Sequence, residues 1–218
     1  MYAINTYEEI ESQERELNEK HVIILLFARP SLAGAQEVID EFNYLHENAG
    51  RYCSLYAVGY GSGEAQRYGL AEDYQGDLRP VPGVEGQTWQ YSDRAFVDFK
   101  NKLEDRLKNW CYSGNVELMI LQSNPQGRQI LNFEQYLAVD LHYGLKHGYI
   151  ESFPAFMEAL IRNARSEVTA SGAIRSFKGQ HIKVNKIMQA SIDECSKLPK
   201  SIKNILKDQL FYRTSKKR

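Results

Sequence analysis

"VELMILQSNPQGRQILNF" (residues 116–133) is the stretch on which the fold turns. Val116 to Ser123 reads as the third strand of the chain. Asn124-Pro125-Gln126-Gly127 follows, with proline and glycine placed for a tight turn. Arg128 to Phe133 then reads as a strand returning beside it. The segment is expected to be a hairpin.

Upstream, "HVIILLFA" (21–28) is continuous and β-branched, as suits a central strand covered on both faces. Arg29-Pro30-Ser31 turns the chain, with Ser31 the expected N-cap of a helix. Ala35, Val38, Ile39, Phe42, Leu45 and Ala49 recur at helical spacing, and Gly50 supplies a stop. "RYCSLYAVGY" (51–60) is the next strand, completing a βαβ unit that is parallel and right-handed on general grounds. The hairpin makes the third strand antiparallel to that unit. A parallel third strand would instead give a small doubly wound sheet of flavodoxin type.

Around this frame, Thr6 and Glu9 form a capping box for a helix reaching about Lys20. Phe96, Phe99, Leu103, Leu107 and Trp110 mark a helix starting at Ser92 or Asp93. Residues 61–92 contain six glycines with Pro80 and Pro82, and read as a long loop with a short helix near Ala65–Tyr74. Glu134–Lys146 suits either a strand (Leu137, Val139, Leu141) or a helix (Phe133, Tyr136, Leu137, Leu141, Leu145). Length and the stop at Gly148 favour the helix. Ser152 and Pro154 open a helix faced by Phe153, Phe156, Met157, Leu160 and Ile161. A polar hinge (165–180) precedes two basic helices broken at Pro199.

Leaving out the first helix, the order is βαβ, α, β-hairpin, α, and it resembles the thioredoxin fold across residues 21–147. The resemblance is one of topology. Where that family carries Cys-x-x-Cys, this chain has Arg29-Pro30-Ser31-Leu32-Ala33-Gly34. Where a cis-proline precedes the family's third strand, it has Ser113-Gly114-Asn115. Both departures imply a scaffold without disulfide exchange, which needs an activated thiolate at a helix N-terminus. Segments such as "FNYLHENAGRYCSLYAVGYG" are also similar to bacterial sequences to which no chemistry is attached. The expected architecture is therefore an α/β, thioredoxin-like core (1–164) with a basic helical appendage (165–218).

Composition narrows the function classes. Of 218 residues, 43% are hydrophobic and 25% charged, ordinary for a globular chain. No apolar run approaches the roughly 18 residues of a membrane span, and the acidic, amphipathic start is unlike a signal peptide. Cys53, Cys111 and Cys195 are odd in number and without CxxC, which favours free thiols and a cytoplasmic setting. Residues 165–218 carry 13 Lys/Arg against 4 Asp/Glu although the whole chain has a net charge of −1. A basic end on an acidic body suits an anionic partner or the chain's own body. An overall pI of about 6.5 weighs against a dedicated nucleic-acid binder.

Candidate sites follow from the topology. Parallel first and second strands end on one sheet edge, gathering Arg29 and Ser31 with Gly61, Ser62 and Gly63, and the turn at Gly114 lies there too. Amides opening a helix at Ser31–Ala33, with the fork of Arg29, would suit an anion. The glycines alone match neither G-x-G-x-x-G nor the P-loop pattern. His21, His46, His142, His147 and His181 lack metal-ligand spacing, no Ser-His-Asp set or nucleophile elbow is present, and Cys111 is the remaining candidate thiol. No catalytic residue, metal or cofactor is expected. Tyr60, Tyr68, Tyr74 and Tyr91 could line a contact surface, joined by Lys203, Lys207 and Arg213 of the basic end. The first expectation is a non-catalytic interaction protein with a protein partner, the basic end also suiting nucleic acid or an anionic surface. The alternatives are an anion- or nucleotide-type ligand protein or enzyme using the sheet edge, and a thiol redox protein using Cys111.

Overall fold

The computed structural model describes residues 1–4, 6–49, 52–62, 76–107, 109–171, 183–195 and 211–213, with backbone alone at 134–135, 170–171, 185, 195 and 211–213. In chain order the elements are β1 (Tyr2–Ile4), α1 (Tyr7–Leu17), β2 (Val22–Phe27), α2 (Ala35–Asp40), α3 (Phe42–Ala49), β3 (Cys53–Val58), β4 (Tyr60–Ser62), β5 (Arg79–Pro82), β6 (Thr88–Tyr91), α4 (Asp93–Arg106), β7 (Glu117–Ser123), β8 (Leu131–Asp140), α5 (Leu141–Lys146), α6 (Phe153–Ser171), α7 (Val184–Cys195) and β9 (Phe211–Arg213). The fold is α/β.

A six-stranded mixed sheet runs in the order β1-β3-β2-β7-β8-β9. β2 is central: it pairs parallel with β3 and antiparallel with β7, and all six of its residues are buried. β1 adds a third parallel strand beside β3. β7 and β8 form the hairpin, whose turn is closed by the Gly127 N–H on the Asn124 carbonyl at 2.8 Å. The antiparallel third strand excludes the doubly wound alternative. Two helix starts are capped as expected: Thr6 and Glu9 form a reciprocal box, and Ser92 Oγ accepts from the Ala95 N–H at 3.0 Å.

Several sequence expectations are overturned. The helix after β2 does not start at Ser31. Residues 30–34 form turns, with the Leu32 N–H on the Arg29 carbonyl and the Ala35 N–H on the Leu32 carbonyl. α2 begins at Ala35 after Gly34, and Ser31 caps nothing. α2 and α3 are separated at Glu41, so the single long helix is two short ones.

Residues 61–92 are not simply a loop. β3 stops at Gly59, whose φ of +84° redirects the chain into β4, and β4, β6 and β5 form a second, antiparallel sheet with β6 in the middle. That sheet packs its aromatics against α3: Phe42 meets Tyr60 at 5.5 Å and Trp89 at 5.6 Å between ring centroids. The short helix expected near Ala65–Tyr74 lies outside the described residues.

Glu134–Lys146 is not one helix. β8 continues to Asp140 and only Leu141–Lys146 is helical. Tyr136 to Val139 are all buried, with β7 paired along one side and β9 along the other from Leu137 to Val139. The polar stretch expected as a hinge from 165 is helical through Ser171, so α6 runs across position 164. α7 packs on α6. The second basic helix lies mostly outside the described residues, but Phe211 and Tyr212 at its end belong to strand β9. No described helix is long and apolar enough to cross a membrane.

Candidate functional site at the strand-end edge

The carboxyl ends of β2 and β3 share an edge with the start of β7, since Phe27 pairs with Glu117 and Leu26 with Ala57. Asp140, at the end of β8, pairs with Glu117 and lies on the same edge. Arg29 leaves β2 there. Its guanidinium does not stand open: Nη2 donates to Asp93 Oδ1 at 2.8 Å and Nε to the same oxygen at 3.1 Å. Arg79 of β5 takes the other oxygen of Asp93, and Tyr91 Oη donates to Oδ1 at 3.2 Å. Partial burial works against the Asp93 carboxylate, but the hydrogen bond and charge of Arg29 outweigh it and hold the acid below its usual range. Arg29 also lies 5.5 Å from the centre of the Phe96 ring. One carboxylate thus ties the end of β2, the outer strand of the small sheet and the start of α4.

The remaining candidates distribute as follows. Ser31 is exposed in the turn after Arg29, and Gly61 and Ser62 lie in β4, paired with Gln90 and Trp89. Gly114 occupies the exposed turn before β7 with φ +89°. Tyr60 and Tyr91 are fully buried, so neither lines a surface. Tyr60 Oη instead donates to the Ala28 carbonyl, fastening β4 to the end of β2. Gly63, Tyr68, Tyr74, Lys203, Lys207 and the Arg213 side chain lie outside the described residues.

Sequence reasoning missed the most unusual side chain of the edge. Glu117 is fully buried at the first position of β7. Its oxygens accept the Ser113 N–H at 2.6 Å and the Trp110 indole N–H at 3.2 Å. Burial pushes its carboxyl up to about 7, with nearby Asp140 adding to the effect, while those hydrogen bonds oppose it and lose. Asp140 is itself engaged, accepting from Asn115 Nδ2 at 2.7 Å and from the Tyr143 N–H at 2.8 Å. In sequence Glu117 is one charge inside an apolar strand, and that single discord was the available signal.

Cys111 is exposed, between the Trp110 and Ser113 that donate to Glu117. The charge of Glu104 pushes its thiol up, the reverse of what a redox nucleophile needs. Cys53 is buried, and burial lifts its thiol to about 12. α5 starts at the same edge, and Tyr143, His147 and Tyr149 cluster there, His147 stacked on Tyr149 and tilted against Tyr143 with centroids 4.3 Å apart. No group of three His, Cys, Asp or Glu among the described residues is placed to hold a metal.

A second polar cluster lies at the opposite end of the strands. His21 Nε2 sits 2.9 Å from Glu14 Oε2 and 2.7 Å from Ser54 Oγ, and Tyr56 Oη donates to Glu14 Oε1 at 2.6 Å. All four side chains are buried, so serine, histidine and carboxylate meet here without a surface that a substrate could reach. Positions 14, 21, 54 and 56 carry no spacing that would reveal the cluster from sequence. Compared with protein-family models, curated proteins and solved structures, the chain gives no significant match.

Proposed function

We propose that the chain is a non-catalytic interaction protein on a thioredoxin-like scaffold. The strand order β3-β2-β7-β8, parallel once and antiparallel twice, supports the scaffold. The absence of cysteine from Arg29–Gly34 and the raised thiols of Cys111 and Cys53 support a scaffold without thiol exchange. Free thiols also suit a reducing compartment.

The observation that carries the reading is the Arg29–Asp93–Arg79 bridge. The guanidinium that would have served an anion at the strand ends is bound by the chain's own carboxylate, and Glu117 is enclosed by its own turn. The polar groups of the edge serve architecture. Contact then falls to the segment joining β4 to β5, with Gly63, Tyr68 and Tyr74, and to the basic C-terminal quarter with Lys203, Lys207 and Arg213. Its partner is an acidic protein surface.

The test pairs two variants in the native host: Lys203→Glu with Lys207→Glu, and Arg29→Ala. Quantitative crosslinking should recover a specific protein with wild type and Arg29→Ala and lose it with the charge reversal. Recovery of nucleic acid in its place moves the partner class. Loss of biological activity in Arg29→Ala or Ser31→Ala with partner capture intact moves the function back to the strand-end edge and overturns the reading.

A further inference from the structure

A cleft of about 200 Å³ opens between α3 and α6, lined by Tyr44, Asn48, Glu158, Ile161, Arg162 and Arg165. Asn48 sits near the end of α3 that leads into β3, so the cleft lies toward the sheet edge opposite Arg29. Positions 158, 161, 162 and 165 recur at three and four residues and share one face of α6. Ile161, only 5% exposed, gives that wall an apolar floor, and the half-buried Tyr44 packs on the core beside it.

The charges of the cleft are unequal. Arg162 meets two carboxylates, Glu158 at 3.4 Å and Glu194 of α7, and the trio carries one net negative charge. Arg165 is exposed and has no carboxylate partner among the described residues. Its guanidinium carbon lies 5.0 Å from the centre of the Tyr52 ring. Attraction to the ring face restrains the guanidinium near Tyr52, and no carboxylate of the described residues takes its N–H donors.

We propose that this cleft binds a small organic carboxylate, its charge on Arg165 and its apolar body against Ile161 and Tyr44. A planar guanidinium matches a carboxylate with two parallel hydrogen bonds, and restraining the fork in advance lowers the entropic cost of binding. The negative Glu158–Arg162–Glu194 trio repels an anion, so the ligand has one orientation. The volume falls below the roughly 300–1,000 Å³ of sites for drug-sized ligands. That limits the ligand to a monocarboxylate with one ring or a short branched chain and excludes a nucleotide. The site stands apart from the interaction reading, and its failure would leave that reading untouched.

Benzoate is the probe, inorganic phosphate the comparison, and the readout is ¹⁵N NMR of the full chain, following backbone amides and arginine Nε–H groups. Benzoate should give saturable shifts confined to Asn48, Arg165 and their neighbours, with phosphate binding more weakly. Arg165→Ala should weaken benzoate at least about tenfold, the scale of losing hydrogen bonds to a charged group, and Arg165→Lys should restore it only in part. Because Arg165 covers Tyr52, a second variant is needed: Asn48→Trp fills the cleft, and should block benzoate with Tm unchanged. The proposal fails if wild type shows no saturable shift, if Arg165→Ala shifts as wild type does, or if phosphate binds as well as benzoate. Binding retained in Asn48→Trp also overturns it, placing the probe elsewhere. A lowered Tm in Arg165→Ala without benzoate binding to wild type would assign Arg165 to covering Tyr52 alone.

Discussion

Glu117→Gln should flatten the pH dependence of stability and should stabilise the protein at neutral pH. The native carboxyl titrates near 7 against 4.5 in the unfolded chain. Below pH 4.5 both states hold the proton and the group exerts no net effect. Between 4.5 and 7 the native state keeps a proton that the unfolded state has released, so stability falls as pH rises. Above 7 the loss is complete. A displacement of this size amounts to about 3 kcal/mol. Glutamine has nearly the same shape, still accepts one of the two N–H donors and never ionises. Against the gain stands the second donor, Ser113 N–H or the Trp110 indole, which loses its acceptor at a cost of roughly 1–2 kcal/mol. Counted against the protonated wild type, that cost does not vary with pH, since neither the amide nor the neutral acid titrates. Urea unfolding followed by tryptophan fluorescence at half-unit steps from pH 4.5 to 7.5 gives the difference between the two proteins. The difference should move in favour of Glu117→Gln by about 3 kcal/mol across the range. Parallel curves would refute the reasoning and return Glu117 to an ordinary ionised carboxylate stabilised by its two donors.

Gly59→Ala should cost about 2–5 kcal/mol in chemical denaturation, from the left-handed backbone and overpacking; its Cβ would fall 2.8 Å from Phe96 Cβ. Tyr60→Phe should lower stability by roughly 1–3 kcal/mol, since it leaves the Ala28 carbonyl without its phenol donor. Glu104→Gln should speed alkylation of Cys111 at pH 8, measured by mass spectrometry, because the charge that lifts the thiol is removed. An unchanged rate would show that Glu104 does not control that thiol.

The central elements were legible because local preference and burial agree in them. β2 is an unbroken apolar run, β7 has one from Leu118 to Leu121, and Ser92 with Phe96, Phe99 and Leu103 spells out both the cap and the inner face of α4. The second half of β8 was assigned to a helix because Tyr136, Leu137, Ala138 and Val139 form a continuous apolar stretch that suits a buried strand and a helix alike. What holds them extended is pairing with β7 and β9, and β9 lies more than seventy residues downstream. The small sheet was hidden for another reason: strands of three and four residues are too short to show a period. At the edge, sequence placed Arg29 at the correct strand end. It offered no sign that Asp93 and Arg79, 64 and 50 positions away, would consume its charge. Tyr60 and Tyr91 were misread because a tyrosine beside glycines looks like a surface until a second sheet is built over it.

The prolines of β5 bear on how this molecule behaves among copies of itself. β5 is an outer strand of the small sheet. The Gly83 N–H bonds to the Gln87 carbonyl, so Val81 opposite Trp89 and Arg79 opposite Tyr91 take the inward hydrogen-bonding positions. Pro80 and Pro82 take the alternate ones, where an ordinary residue would aim its N–H off the sheet. The rings remove both hydrogens, leaving a margin of carbonyls with no donors between them. An arriving strand finds no ladder to extend there. Crowded solutions can press this face against its neighbours without zipping them together, and a pair of valines in place of the prolines would be enough to make it adhesive.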